Sequence, residues 1–103
     1  MKILKDYLGR DVRLTDERLQ HILEHPELAN MEFAMEETLA HPQFVIQSLT
    51  DPEAELSYRF YFGTRVGDKW LCVVVKYVID DAFVLTAYLT DKIKKGVQLW
   101  PKK

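Results

Sequence analysis

The chain contains a single cysteine, Cys72, so no disulfide can close within it, and a small scaffold held by such bridges is excluded. Cys72 lies in the apolar run Leu71-Cys72-Val73-Val74-Val75 and reads as a small buried hydrophobe of a reducing compartment. Glycine and proline are sparse, four of each, and stand singly, which leaves no linker, repeat or low-complexity tract. No stretch approaches the roughly 20 uninterrupted apolar residues of a membrane span. The opening Met1-Lys2-Ile3-Leu4-Lys5-Asp6 lacks an apolar segment of signal-peptide length, so a cytoplasmic chain with no membrane partner is expected. Gly-rich phosphate loops, Walker motifs and nucleophile elbows are missing, and Ser48 and Ser57 have no evident triad partners.

What is present suffices for one core. Of 103 residues, 48% are apolar and 12% aromatic, which predicts a single folded domain over 1–103 and excludes intrinsic disorder. The formal net charge of −2 is unevenly spread. Residues 1–15 are mildly basic, residues 16–55 set Arg18 against ten carboxylates, and residues 56–103 carry nine basic against four acidic side chains. That asymmetry fits a solvated acidic helix pair beside a lysine-tagged tail, or one face that tolerates a polyanion and another that repels it.

Periodicity orders the elements. Lys2–Tyr7 and Asp11–Leu14 form short β-like runs around Gly9-Arg10, a predicted hairpin. Thr15 is placed to cap a first helix whose Leu19, Ile22 and Leu23 turn inward and which Pro26 ends. A second helix is predicted from near Asn30 to His41-Pro42, with Met31, Ala34, Met35, Thr38 and Leu39 on one face and Glu32, Glu36 and Glu37 toward water. The period then becomes two, predicting strands over Phe44–Leu49, Leu56–Phe62, Trp70–Val78 and Phe83–Thr90, with one helical turn in the tail near Asp91–Gly96. Short turns between successive strands predict antiparallel pairing. The expected fold is therefore α+β: a hairpin and two helices packed on one face of a four-stranded antiparallel meander, leaving the other face for a site.

Lys76 is the most informative position, because it interrupts the apolar run 71–78 and must reach solvent or a partner. A three-residue loop of Ile79, Asp80 and Asp81 would set Lys76 opposite Val84 and gather Thr86 and Tyr88 beside it. A two-residue loop at Asp80-Asp81 would set it opposite Leu85 and break that cluster. Arg59 and Tyr61 share the polar face of the neighbouring strand, and if that face meets Lys76 the site holds two cations, Arg59 and Lys76, a pairing suited to phosphate. Arg18, His21 and His25, spaced i, i+3, i+7, form a polar stripe on the first helix, and mid-helix His21 is the better candidate acid or base. The segment His21-Ile22-Leu23-Glu24-His25 matches the H-x-x-E-H pattern of inverted zinc peptidases. No third ligand is evident, however, and Pro26 ends the helix at once, so neither metal nor cofactor is expected.

Three blocks, in this order, resemble a phage-associated family of the Barnase–EndoU–colicin–RelE-like nuclease superfamily. They are Leu14-Thr15-Asp16-Glu17-Arg18 with His21-Ile22 and His25-Pro26-Glu27, then Val73-Val74-Val75-Lys76, then Thr86-Ala87-Tyr88-Leu89-Thr90-Asp91 leading into Lys94-Lys95-Gly96. Asp51-Pro52 before the second sheet strand is also a family feature. The resemblance implies helices followed by a four-stranded antiparallel sheet. It also implies metal-independent cleavage of RNA by attack of the ribose 2′-hydroxyl, in a toxin or phage effector countered by an antitoxin or immunity protein. Carried onto this sequence, it implies His21, Lys76, Tyr88, Thr86 and Arg59 as catalytic, with Arg18, Tyr61 and Thr90 binding substrate. The rival expectation is a non-catalytic binding module. Catalysis requires His21, Lys76 and Tyr88 to converge in one cleft, whereas a binding module can scatter them.

Overall fold

A computed structural model describes residues 1–102. Its strands are β1 (Lys2–Lys5), β2 (Asp11–Leu14), β3 (Phe44–Gln47), β4 (Ala54–Thr64), β5 (Gly67–Val78), β6 (Asp81–Thr90) and β7 (Val97–Trp100). Its helices are α1 (Asp16–Leu23) and α2 (Glu32–Ala40), joined through a 3-10 turn at Pro26–Leu28. The fold is α+β, as the change of period predicts. β3 to β6 form the antiparallel meander, and no parallel pair occurs among them.

The sheet is wider than four strands. β2 joins β6 in parallel where Arg13 meets Phe83, and β7 adds antiparallel to β3, giving the order β1-β2-β6-β5-β4-β3-β7. The expected helical turn in the tail is replaced by a crossing segment, residues 91–96, and the strand β7. The reason is steric and local. A Cβ on Gly96 would lie 2.4 Å from the Gln47 carbonyl oxygen, so only glycine lets the tail dock this closely on β3.

The two sheet faces differ. One buries Leu71, Val73 and Val75 of β5 and Val84 and Ala87 of β6 against Ile22 of α1, Leu28, and Met35 and Leu39 of α2. Each of these side chains larger than Ala87, fully buried, contributes about 1.5–3 kcal/mol. Thr15 caps α1 by accepting from the Arg18 amide at 3.1 Å. The acids of α2 do more than face water. Lys2 Nζ bridges Glu32 and Glu36 at 2.6 Å each, and Glu37 accepts from the Tyr61 hydroxyl at 2.7 Å. Among the described residues, no helix is long and apolar enough to cross a membrane.

Candidate functional site

The other face carries no helix. Along it run Ile46 of β3, Leu56 and Tyr58 of β4, Cys72, Val74 and Lys76 of β5, and Thr86 and Tyr88 of β6. A β-bulge decides the membership of β6. The β5–β6 loop is the two residues Ile79 and Asp80, with Asp80 at φ 64°, so Val78 pairs with Asp81 and Lys76 with Phe83. Neither expected loop is formed. In this register Thr86 would fall opposite Val73 and point at the helices, but the pairing shifts by one residue between Val74 and Val75. Leu85 is the extra residue, and Thr86 then pairs with Val74 and Tyr88 with Cys72. Lys76, Thr86 and Tyr88 therefore share the helix-free face.

On that face lies a cleft of ≈ 520 Å³, lined by Leu56 and Val74 on its floor, Thr86 and Tyr88 on one wall, Ser48 and Thr50 on the other, and Lys94 and Lys95 above. The roof is the 91–96 segment, tied down by the Lys94 amide, which donates to the Tyr58 hydroxyl at 3.1 Å, and by Ile93 packed on the sheet. The Lys94 ammonium sits 5.9 Å from the centroid of the Tyr88 ring. The Tyr88 hydroxyl is buried and has no hydrogen-bond partner among the described residues. Burial, reinforced by neighbouring Cys72 and Tyr58, raises its pKa and keeps it neutral. Burial also pushes Tyr58 up to about 12 and the Cys72 thiol up to about 11, so neither supplies a base or a nucleophile at neutral pH.

Other expected site residues lie elsewhere. His21 is on α1, whose Ile22 packs against the opposite face of the sheet, and its side chain is 67% exposed. Arg18 stands beside it with Glu17 and Glu24. Arg59 donates to the His41 carbonyl at 2.7 Å and Tyr61 to the Ala34 carbonyl at 3.1 Å, so both fasten α2 to β4. Thr90 accepts from the Lys92 amide at 3.3 Å and shapes the exit from β6. Lys76 is held at the rim by Asp51 at 2.5 Å and Glu53 at 3.4 Å. The expected convergence of His21 with Lys76 and Tyr88 is thus not formed, because α1 must bury its apolar stripe on the far side of the sheet.

Lys94 and Lys95 are the cleft residues that site selection from the sequence missed. The available signal was charge without compensation. Lys2, Lys5, Arg10, Arg13, Arg59, Lys69 and Lys76 each have a carboxylate at ion-pairing distance. Among the described residues, Arg18, Arg65, Lys92, Lys94 and Lys95 have none, and of these Lys94 and Lys95 line the cleft. Seven carboxylates, from Asp16 to Glu37, lie on α1 and its C-cap Glu24, the 3-10 turn and α2. The charge asymmetry of the sequence therefore maps onto two layers, an acidic helical one and a helix-free face carrying the unpaired lysines. No protein-family model, curated protein or solved structure matches the chain.

Proposed function

We propose that the domain binds RNA through the helix-free cleft, as a phosphate-recognising module of the nuclease family that its sequence resembles. The observation that carries this reading is the pair of strap lysines without a carboxylate partner, Lys94 and Lys95, which line the cleft together with Thr86 and the Tyr88 ring. A phosphodiester there would exchange water for ammonium donors, and the exposed Thr86 hydroxyl would donate to its oxygens. His21, Arg18, Arg59 and Tyr61 take no part in this arrangement.

Metal-independent cleavage at the same cleft, in a toxin or phage effector, is the second reading. Its acid would be Tyr88, a neutral phenol whose ring lines the cleft and whose buried hydroxyl would have to turn outward to give its proton to a leaving oxygen. The 2′-oxygen would attack phosphorus, its proton passing to water, and the 5′-oxygen would leave with the proton of Tyr88. Lys94 and Lys95 would balance charge on the phosphoryl oxygens. No imidazole or carboxylate lines the cleft to act as base, which ranks this reading below binding.

The test is the affinity for RNA as a function of salt. Replacing Lys94 and Lys95 together by alanine should flatten the log–log slope by about 1.4, roughly 0.7 for each phosphate contact with a single strand. The variant His21→Ala should bind as the parent does. A parent that binds no RNA at low salt would end the proposal. EDTA-resistant cleavage that is lost in Tyr88→Phe would promote the second reading above the first.

A further inference from the structure

Beyond the cleft, the helix-free face carries aromatic rings arranged as a ladder. Phe60 and Phe62 meet edge to face with centroids 5.1 Å apart, and Phe60 meets Trp70 at the same distance. Trp70 in turn meets Phe44 at 5.8 Å and Tyr58 at 6.5 Å. The inner end of the ladder is thus Tyr58, whose hydroxyl anchors the lysine strap. The outer end is open, with Phe62 81% exposed. Its neighbours Phe60 and Trp70 are only half-buried, so the ladder presents ring surface to solvent that the core does not use.

The charges around the ladder suit one kind of occupant. The strap leaves β6 at Thr90, the pairing partner of Trp70, so Lys92 and Lys94 follow directly from the ladder's flank. Carboxylates at this end are engaged: Asp91 with Lys69, and Asp68 with the Gly63 amide at 2.8 Å. Aromatic faces beside unpaired amines match a chain that alternates flat bases with phosphates. A base inside a duplex already has both faces covered, so only an unpaired base can use the ladder.

We propose that Phe62, Phe60 and Trp70 are a stacking platform for unpaired bases, and that the RNA engaged by this domain is single-stranded. The inference rests on the RNA reading of the cleft and names its substrate class. The strap lysines hold phosphates, and the ladder holds the bases that those phosphates connect.

The experiment compares the parent chain with Phe62→Ala, chosen because so exposed a side chain can be removed without disturbing the core. Probes are a short single-stranded RNA, the same strand with abasic sites, its duplex, and inorganic polyphosphate. Loss of one stacking contact should weaken binding of the single strand about tenfold and leave polyphosphate and abasic RNA unchanged. In a Trp100→Phe background, the intact single strand should quench Trp70 fluorescence and the abasic strand should not. Single-strand affinity equal in parent and Phe62→Ala, or a duplex bound as tightly as the single strand, overturns the stacking platform while the cleft reading stands. A parent that binds neither RNA nor polyphosphate overturns both.

Discussion

The Tyr77 hydroxyl donates to Asp6 Oδ2 at 2.6 Å, joining residues 71 positions apart. Asp6 is fully buried at its side chain and also accepts from Arg10 Nε at 2.7 Å and from the amides of Leu8 and Arg10. Arg10 lies 4.1 Å from the Tyr77 ring centroid and reaches Glu55 at 3.2 Å. This one carboxylate therefore shapes the β1–β2 turn and fixes it to β5. Asp6→Ala should lower the unfolding free energy by about 3 kcal/mol, because it strands several donors and a guanidinium. Urea denaturation reads the change, and a loss under about 1 kcal/mol would show that the turn is held by other contacts.

Alkaline pH should unfold the protein. Burial is the first cause of raised pKa values at Tyr58 and Tyr61, each pushed up to about 12, and raises Tyr77 and Tyr88 as well. A group whose folded pKa exceeds its unfolded value contributes stability that is fully present below the unfolded value. That contribution is lost as pH rises through the folded one. The unfolded values are 10.0 for these tyrosines and 9.0 for Cys72, whose thiol is pushed up to about 11. Thermal midpoints should therefore be unaffected by these groups at neutral pH and fall from about pH 9 upward. Phenolate absorbance should rise together with unfolding. Midpoints that stay level to pH 12 would contradict the burial of these hydroxyls.

Tyr88→Phe separates stability from function. The hydroxyl is buried without a partner, so its removal should leave the thermal midpoint unchanged or slightly higher. RNA affinity should stay that of the parent, because the buried hydroxyl does not face the cleft, while any cleavage that uses its proton should be lost. A marked drop in the midpoint instead would mean that the hydroxyl has a protein partner.

Gly96→Ala should loosen β7. The added methyl would meet the Gln47 carbonyl oxygen at 2.4 Å and Ile46 Cγ2 at 2.6 Å, and the first of these is backbone that cannot rotate aside. A destabilisation of about 1–3 kcal/mol is expected. Amide hydrogen exchange should localise it, with faster exchange in residues 97–100 and little change in β5. Uniform loss of protection across the sheet would point to β7 as integral to the core rather than docked on it.

Much of this architecture was legible in the chain because local signals and global packing agree. Thr15 caps its helix, Pro26 closes it, and Ile22, Met35 and Leu39 bury at helical spacing. The alternation of Leu56, Tyr58 and Phe60 against Ser57, Arg59 and Tyr61 separates the two faces of β4 as read. Val97–Trp100 gave no such signal. Their pairing with β3 depends on a close approach at Gly96 that only the fold reveals.

The sequence alone determined that Lys76 needs a partner and that Thr86 and Tyr88 stay together, because side chains two apart on a strand share a face. Which face they share was decided by the tertiary structure. The bulge at Leu85 inserts one residue into the β5–β6 ladder and turns Thr86 and Tyr88 away from the helices. Where the charges act was decided there as well. Asp51 lies 25 positions from Lys76 yet claims its ammonium, while Lys94 and Lys95 arrive over the same sheet from a strap whose one acid, Asp91, is paired with Lys69. The side on which His21 lies followed from α1 as a whole, since a helix buries its apolar stripe and carries its polar residues to whichever side that leaves.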